Sequence, residues 1–445
     1  MKIAIIASGF LPLIDGVTVS GMQRLRKLSQ WGHEVVVFCP DYSSLEAEYP
    51  QWQDYTGNIL PGVRVVNLAS SSFLGIEYEP NVTRSSYKVV LEELENFQPE
   101  IIHVDEPERL FVGGFWRIAG LDYARRAGIP CVAFFRTNFL DYLSDYFPLP
   151  KAILAVIKFL LRKLIVWIYN SYDLTLVTSK VTYPKIKALG IKNAKYSNLI
   201  GFDRHRFKLH SPQADFFESH YGLASVDSLV KIVFLGRLYP DKGWDFTLDT
   251  FESLAKQIDL SKVALIVAGD GPMREEIKSR LSKLTPNLYL LGRVSPEDVP
   301  ALLVNCDLHV TTSEKETRGL TVLEAFAAGI PVIAPNSGGV IENIEHGING
   351  YLYTPGDRQD FIGKLKTLID NDRLRQSMGD REAWAMPNRA MVSVKEYDWE
   401  QVIKNLVNIW QQQIDYYKSQ SDRVVSDRQL TTNNCTVVPW NDSTN

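Results

Sequence analysis

The chain has 445 residues, of which 45% are hydrophobic and 22% are charged, and its net charge is −4. A chain of this length is too long to fold around one ordinary hydrophobic core, so two or more domains are predicted. Because positive and negative charges are nearly balanced, the composition does not indicate a nucleic-acid partner. The four cysteines are widely scattered and form no C-x-x-C pair, so they indicate neither a zinc site nor a disulfide framework and favour a reducing compartment.

The first half of the chain alternates apolar runs with helix-forming stretches. Residues 1–7 form a short apolar run that is typical of a buried strand and not of a secretory signal. Further strands are predicted at residues 34–39, 63–68, 101–104, 131–135, 174–178 and 196–200. Such alternation predicts βαβ units and a parallel sheet that helices cover on both faces.

A long apolar stretch at residues 152–169 is predicted as a helix. Lys158, Arg162 and Lys163 lie near its middle and exclude a membrane span, because each would cost about 2.5–3.5 kcal/mol at a bilayer centre. Lys151, Lys158 and Arg162 share one helical face, which fits either a buried helix with snorkelling basic residues or an interfacial helix that attracts anionic lipid. The aromatic residues before it, among them Tyr142, extend this surface, and together they fit contact with lipid.

The alternation restarts in the second half, with strands predicted at residues 230–234, 264–267, 288–291, 308–310 and 330–334. We therefore predict an α/β fold with two doubly wound domains whose carboxyl edges face a shared cleft. The predicted boundaries are residues 1–207 for the first domain, 208–395 for the second, 396–418 for a C-terminal helix and 419–445 for a disordered tail. The tail has few large apolar residues and no hydrophobic period.

Two carboxylates, Glu316 and Glu324, stand eight positions apart between a strand and a helix. Gly319 would let the backbone approach a ligand, and the amides from Leu320 and Thr321 onward would form a positive helix end that attracts phosphate. Glu324 could then bond ribose hydroxyls. The alternative is that Glu316 is a solvated loop residue and Glu324 a capping residue.

The other candidate site residues also follow predicted strands. Arg237 and Lys242 lie five residues apart across one turn, which suits a pyrophosphate leaving group, although a charged surface turn is the alternative. Gly16 follows the first strand and could bring a backbone amide to a phosphate, or it could belong to a plain turn. No metal site is predicted.

Together these motifs resemble the retaining glycosyltransferases of family 4, which have the GT-B fold. The likeness rests on G-R-x4-K-G, A-G-D-G-P, E-x7-E, E-A-F-A-A-G-I-P-V-I-A and G-x-N-G-Y-L, and it extends from residue 1 to about residue 417. It implies metal-independent transfer, without a cofactor, from a nucleotide sugar bound by the domain of residues 208–395 to an acceptor bound by the domain of residues 1–207. By position, Arg237 and Lys242 would hold the diphosphate, Glu324 the ribose and Glu316 the transferred sugar, with Gly16 and residues 318–321 against the donor. The final helix resembles the one that crosses back onto the N-terminal domain in this fold.

Shorter motifs resemble glycolipid synthases. The segment from Phe10 to Gly16 is similar to sulfoquinovosyldiacylglycerol synthases, and residues 137–142 are similar to digalactosyldiacylglycerol synthases. Both groups usually carry histidine where this chain has Arg136, at a position thought to contact the donor sugar near its reacting centre. We expect a charged side chain at this strand end to meet something anionic or hydroxyl-rich, which favours a contact with the donor. Arg318 likewise replaces a usual phenylalanine.

We therefore expect a cytoplasmic, peripheral membrane enzyme that moves a hexosyl group from UDP-galactose, or another UDP-hexose, to a glycolipid such as monogalactosyldiacylglycerol. Two alternatives from the same family are a sulfoquinovosyldiacylglycerol synthase and a soluble enzyme with a sugar or small-metabolite acceptor. A third is a weakened nucleotide-sugar-binding protein, since Arg136 could mark lost catalysis. No nucleic-acid partner is expected.

Overall fold

The computed structural model describes residues 1–433 except 14–15, 74–75, 137–149, 200, 225, 317 and 380–398. Its first sheet has eight strands in the order β10-β9-β8-β7-β1-β2-β4-β3, parallel except for the antiparallel pair β3 and β4. The central strands β1, β7 and β8 are almost wholly buried, as expected of parallel strands covered on both faces. The bounds of the strands in this sheet are β1 (Lys2–Ala7), β2 (Glu34–Pro40), β3 (Gly57–Leu60), β4 (Val63–Leu68), β7 (Ile101–Asp105), β8 (Cys131–Phe135), β9 (Leu174–Val177) and β10 (Ala194–Tyr196), and a separate hairpin is formed by β5 (Ser70–Phe73) and β6 (Ile76–Val82).

The second sheet has six parallel strands in the order β13-β12-β11-β14-β15-β16. Successive strands are added on one side of β11 as far as β13 and on its other side from β14 onward. The carboxyl ends of β11 and β14 therefore lie beside a switch point, where open α/β sheets bind ligands. The bounds are β11 (Val230–Leu235), β12 (Val263–Ala268), β13 (Leu288–Gly292), β14 (Leu308–Val310), β15 (Val332–Pro335) and β16 (Gly350–Tyr353).

Helices cover both faces of each sheet. In chain order they are α1 (Gly16–Gln30), α2 (Ser86–Phe97), α3 (Pro107–Leu110), α4 (Leu121–Ala127), α5 (Lys151–Asn170), α6 (Thr182–Leu189), α7 (Arg204–Lys208), α8 (Phe216–Tyr221), α9 (Trp244–Leu254), α10 (Arg274–Leu281), α11 (Val299–Val304), α12 (Leu320–Ala328), α13 (Arg358–Asp370), α14 (Asp372–Met378) and α15 (Trp399–Asn433). Short 3₁₀ turns lie at Pro240–Lys242 and Gly338–Glu342, among other places. Among the helices that the structure describes, none is long and apolar enough to cross a membrane.

The C-terminal helix α15 packs on the first domain. Trp410 is fully buried in a core that also holds Ile3 and Val35 from the first sheet, and α15 contacts α1. The expected α/β fold, with two doubly wound domains and a final helix that crosses back, is confirmed. Phe207 already packs in the core of the second domain, one residue before the predicted boundary.

The structure departs from the sequence-based description at the C-terminus. Helix α15 continues to Asn433, so residues 419–433 are helical where a disordered tail was predicted. Extending an existing helix requires no new nucleus, and polar residues such as Gln and Arg therefore continue it without a hydrophobic period. Residues 434–445 lie outside the described part of the chain.

Candidate functional site

A cleft of about 900 Å³ opens between the carboxyl edges of the two sheets. Because parallel strands end at the same edge, side chains that are distant in sequence meet there. All of the predicted site residues line this cleft, and they are Gly16, Arg136, Arg237, Lys242, Glu316, Arg318, Gly319, Leu320, Thr321 and Glu324.

Lys242 and Glu316 form an ion pair on the wall of the second domain. Lys242 Nζ lies 2.6 Å from Glu316 Oε1 and 3.7 Å from Asp241 Oδ2. Burial alone would lower the pKa of Lys242, but the carboxylates of Glu316 and Asp241 raise it above its ordinary value. The ammonium is therefore charged and available to a diphosphate that displaces or shares Glu316.

The turn that carries Lys242 is held against the end of β14. Thr312 Oγ1 lies 3.1 Å from the carbonyl oxygen of Lys242, and Ser313 Oγ donates to Asp241 O at 3.0 Å. Gly243 is required here, because a Cβ at this position would lie 2.3 Å from Thr312 O and its φ is +75°. Arg237 lines the same side of the cleft, with its guanidinium 4.9 Å from the centre of the Tyr239 ring.

Helix α12 begins at the cleft with Gly319 as its N-cap, at a φ of 72°, and because glycine has no side chain the N-cap residue supplies no capping oxygen to the first amides. His309, which sequence reasoning missed, lies behind the helix. Its Nδ1 lies 3.1 Å from Val233 O and must donate there, so Nε2 accepts the hydroxyl proton of Thr321 at 3.2 Å. Burial lowers the pKa of His309 to about 4 and keeps the ring neutral. The Thr321 oxygen is thereby oriented at the start of the helix.

Gly16, from the first domain, and Glu324, within α12, also line the cleft near the start of that helix. Gly16 approaches the second domain so closely that a Cβ there would lie 2.8 Å from Leu320 Cδ1. Glu324 is partly buried, and burial raises the pKa of its carboxyl group to about 7, although the charge of Arg206 acts in the opposite direction. Glu324 therefore titrates near neutral pH, unlike an ordinary solvated glutamate.

Arg136 meets an anion supplied by the protein. Its Nε lies 3.3 Å from Asp105 Oδ1, and its Nη1 donates to Ser20 Oγ at 2.8 Å. The expectation that this charge would meet something anionic or hydroxyl-rich is met within the protein, because β7 lies next to β8 and its end supplies Asp105. The charge of Arg136 therefore does not by itself indicate a contact with the donor. Contact between Arg136 and the donor stays a prediction.

Asp105 is the centre of a buried cluster. Arg24 Nη2 lies 2.6 Å from its Oδ2, and His103 Nε2 lies 3.0 Å from its Oδ1. Burial alone would raise the pKa of Asp105, but Arg136 and Arg24 hold it well below its usual range. The indole N–H of Trp410 donates to His103 Nδ1 at 3.3 Å, which connects this cluster to α15.

Arg318 is only 4% exposed, and its guanidinium pairs with Glu342. The side chain at this position therefore has a partner within the protein, and its part in donor binding stays a prediction. The part of the chain that the structure describes contains no group of three or more His, Cys, Asp or Glu that could hold a metal ion. Asp15 and residues 137–142, including Tyr142, lie outside that part.

Sequence reasoning also missed two buried glutamates on the wall of the first domain. Ser8 Oγ donates to Glu106 Oε2 at 2.5 Å, and the Tyr169 hydroxyl donates to Glu108. Burial, with a smaller contribution from Glu106, raises the pKa of Glu108 to about 8. The signal in the sequence was the run Asp105-Glu106-Pro107-Glu108 at the end of a predicted strand.

Two family models match the chain. Residues 14–197 match Glycosyltransferase Family 4, and residues 217–383 match Glycosyl transferases group 1. The chain is also similar to a solved structure titled as Anabaena Alr3699/HepE in complex with UDP and glucose, with a TM-score of 0.67 and 19% identity, covering 93% of this chain and 100% of that one. This likeness supports the fold.

Proteins that are similar to this chain in sequence have names that give different substrates. The GDP-mannose-dependent alpha-mannosyltransferase of Mycolicibacterium smegmatis is 30% identical, covering 76% of this chain and 80% of the relative. The sulfoquinovosyl transferase SQD2 of Arabidopsis thaliana is 28% identical over 72% of this chain and 58% of the relative. The alpha-monoglucosyldiacylglycerol synthase of Streptococcus pneumoniae is 24% identical over 79% and 75%.

Proposed function

The chain belongs to the family 4 glycosyltransferases of the GT-B fold, and from this premise we propose that it transfers a hexosyl group from a nucleotide sugar to a glycolipid acceptor at a membrane surface. Transfer with retention and without a metal ion is part of the proposal. The donor diphosphate lies against Arg237, Lys242 and the first amides of α12, where cations and a helix N-terminus meet. There they stabilise the negative charge that develops on the leaving diphosphate.

The observation that carries the lipid acceptor is the exposed face of α5. Ile153, Val156, Phe159, Leu160 and Trp167 are between 51% and 60% exposed, which argues against the buried helix that the sequence left open. Single exposed apolar residues are ordinary, but a contiguous row on one helix marks an interaction surface.

Charge and aromatic contacts extend this surface. Lys163 lies within the apolar row, with its Nζ 5.7 Å from the centre of the Phe159 ring, and Arg162 is exposed beside it. Phe111 packs edge-on against Trp167 and beside Trp116, which is 64% exposed. Apolar side chains flanked by cations and tryptophans suit the interface of an anionic membrane.

The same helix also reaches the cleft. Leu161 and Ile165 line the cleft from the opposite side of α5. A lipid held on the outer face of α5 could therefore extend its head group around the helix towards the donor. The position of α5 between the apolar surface and the cleft favours a glycolipid over a soluble acceptor.

The donor base follows less directly from the site. Within the proposal we prefer UDP-galactose or another UDP-hexose, with monogalactosyldiacylglycerol as the type of acceptor. The mannosyltransferase relative makes GDP-mannose the competing donor, and SQD2 makes a sulfosugar donor the next. A panel of UDP-, GDP- and ADP-sugars, assayed against glycolipid vesicles, decides between them.

The membrane part is tested by sedimentation with vesicles that contain about one third anionic lipid, at low salt. We expect wild type to sediment with these vesicles and to lose this binding as salt rises. Phe159→Glu should reduce both sedimentation and transfer to glycolipid in the vesicles at least about tenfold, because it places a charge in the apolar row.

Leu209→Glu is the matched control, because Leu209 is 83% exposed and lies outside α5. It should leave sedimentation and transfer unchanged. If wild type does not sediment, or if it glycosylates only soluble acceptors, the membrane proposal fails. Donor binding without hydrolysis or transfer would instead support the weakened binding protein.

A further inference from the structure

Glu342 is shared between the two domains. Its Oε1 accepts a hydrogen bond from Ser179 Oγ at 2.5 Å and another from the backbone N–H of Val181 at 3.1 Å, and its Oε2 pairs with Arg318. Ser179 follows β9 and Val181 is the N-cap of α6, both in the first domain, whereas Glu342 and Arg318 belong to the second. One carboxylate thus caps a helix across the cleft and neutralises a buried arginine.

Arg318 lies in the loop that presents Glu316. The carbonyl oxygens of this loop are bound to the segment that carries Glu342, since Gly339 N donates to Glu316 O at 2.6 Å and Asn343 Nδ2 donates to Arg318 O at 2.8 Å. The hydrogen bond between Ser179 and Glu342 is therefore connected, through Arg318, to the loop of Glu316. Glu316 in turn pairs with Lys242, which faces the donor diphosphate.

The exposure of the Arg318–Glu342 ion pair to water depends on whether the cleft is closed. Arg318 and Glu342 are only 4% and 9% exposed while the domains are in contact. Opening the cleft removes both first-domain donors from Glu342 and lets water reach the pair, which weakens its attraction because water has a much higher dielectric constant. The loop would then be held less firmly.

We infer that Ser179, Glu342 and Arg318 form a latch that couples closure of the two domains to the placement of the donor-binding loop. These are positioning residues, which act through Glu316 and Lys242. Because coupling between two equilibria is reciprocal, donor binding that orders the loop also favours closure. The inference rests on the donor site of the proposed function but does not depend on the lipid acceptor.

A second contact between the domains provides a control. Arg293 Nη1 donates to Glu48 O at 3.1 Å, and its guanidinium lies 4.8 Å from the centre of the Tyr49 ring. Arg293 joins the domains and, among the residues that the structure describes, forms no hydrogen bond or ion pair with the loop of Glu316. Its replacement should loosen closure without acting through Arg318.

The test combines small-angle scattering of the full chain with calorimetric binding of UDP and GDP. Ser179→Ala should increase the radius of gyration and weaken nucleotide diphosphate binding about three- to tenfold, the effect of one lost hydrogen bond. In an Arg318→Met background, Ser179→Ala should still change the scattering but should weaken binding no further. Should Arg318→Met fail to fold, Glu342→Gln replaces it, because it removes the ion pair and keeps an acceptor oxygen for Ser179.

Arg293→Met should weaken binding by the same factor in both backgrounds. The latch is overturned if Ser179→Ala leaves both scattering and binding unchanged, or if its effect on binding is the same in both backgrounds. If wild type binds neither nucleotide, the donor site fails instead, and the latch is then judged on scattering alone, where an unchanged Ser179→Ala profile overturns it.

Discussion

The buried carboxylate of Asp105 balances two arginines, and its removal should be costly. In Asp105→Asn the side chain keeps its size, but Arg24 at 2.6 Å and Arg136 at 3.3 Å lose the negative charge between them. The Asp105 side chain is only 5% exposed, so water cannot compensate. Removing one partner from a buried pair typically costs about 3–5 kcal/mol.

That loss of free energy of unfolding can be converted into a decrease in melting temperature. For a unit of about 150–250 residues, each kcal/mol lowers Tm by roughly 2–4 °C, so we expect Asp105→Asn to lower the Tm of the first domain by about 6–20 °C at pH 7. Because the arginines lower the pKa of Asp105, its stabilisation is present above the ordinary carboxyl pKa and is lost as pH falls through the lowered value. The difference between wild type and variant should therefore be constant from pH 7 to 5 and shrink only in stronger acid.

Thermal and urea unfolding, followed by circular dichroism, measure this effect. Asp122→Asn is the control, because Asp122 is 52% exposed and pairs with Arg117 at 3.4 Å on the surface. Such a pair contributes at most about 1 kcal/mol. A Tm for Asp105→Asn equal to that of Asp122→Asn would refute the claim that the two arginines depend on Asp105.

Predictions at three further residues concern the cleft. Lys242→Ala should lower kcat about 10²- to 10³-fold with little loss of fold stability if Lys242 stabilises the leaving diphosphate, and wild-type turnover would contradict that role. Nucleotide affinity, measured by calorimetry, should rise between pH 6 and 8 as Glu324 ionises, and Glu324→Gln should weaken binding and abolish the rise; unaltered affinity would refute a role of Glu324 in nucleotide binding. Because burial raises the pKa of Glu324, wild type should also lose stability as pH rises through about 7, and the glutamine variant should not. Arg136→His should change sugar preference in a donor panel; an inert wild type beside an active histidine variant would show that Arg136 marks lost catalysis.

The local units of the fold could be predicted from the sequence. A run such as residues 1–7 is apolar at nearly every position, which requires a strand buried on both faces, and the structure has a strand there. Arg237 and Lys242 follow one strand, and Glu316 and Glu324 follow another within a strand-loop-helix unit, so their location at the carboxyl edge of the sheet also followed from the sequence. Each of these inferences depends on neighbours within about ten residues.

The partners of those residues were decided by the tertiary structure. Hydrophobic periodicity identifies a strand but does not say which strand lies beside it. Because β7 lies between β1 and β8, Asp105 meets both Arg136 and, through α1, Arg24. The sequence alone had left Arg136 to be explained by a ligand.

The contacts between residues that are most distant in sequence were also decided by the tertiary structure. Trp410 reaches His103 across 307 residues because α15 returns to the first domain, and Ser179 reaches Glu342 across 163 residues because the cleft is closed. Residue type and spacing determined that this chain has two doubly wound domains and charged groups at their strand ends. Which of those charges neutralise one another, and which remain for a diphosphate, depended on strand order and domain contact, since electrostatic pairing is set by distance in space.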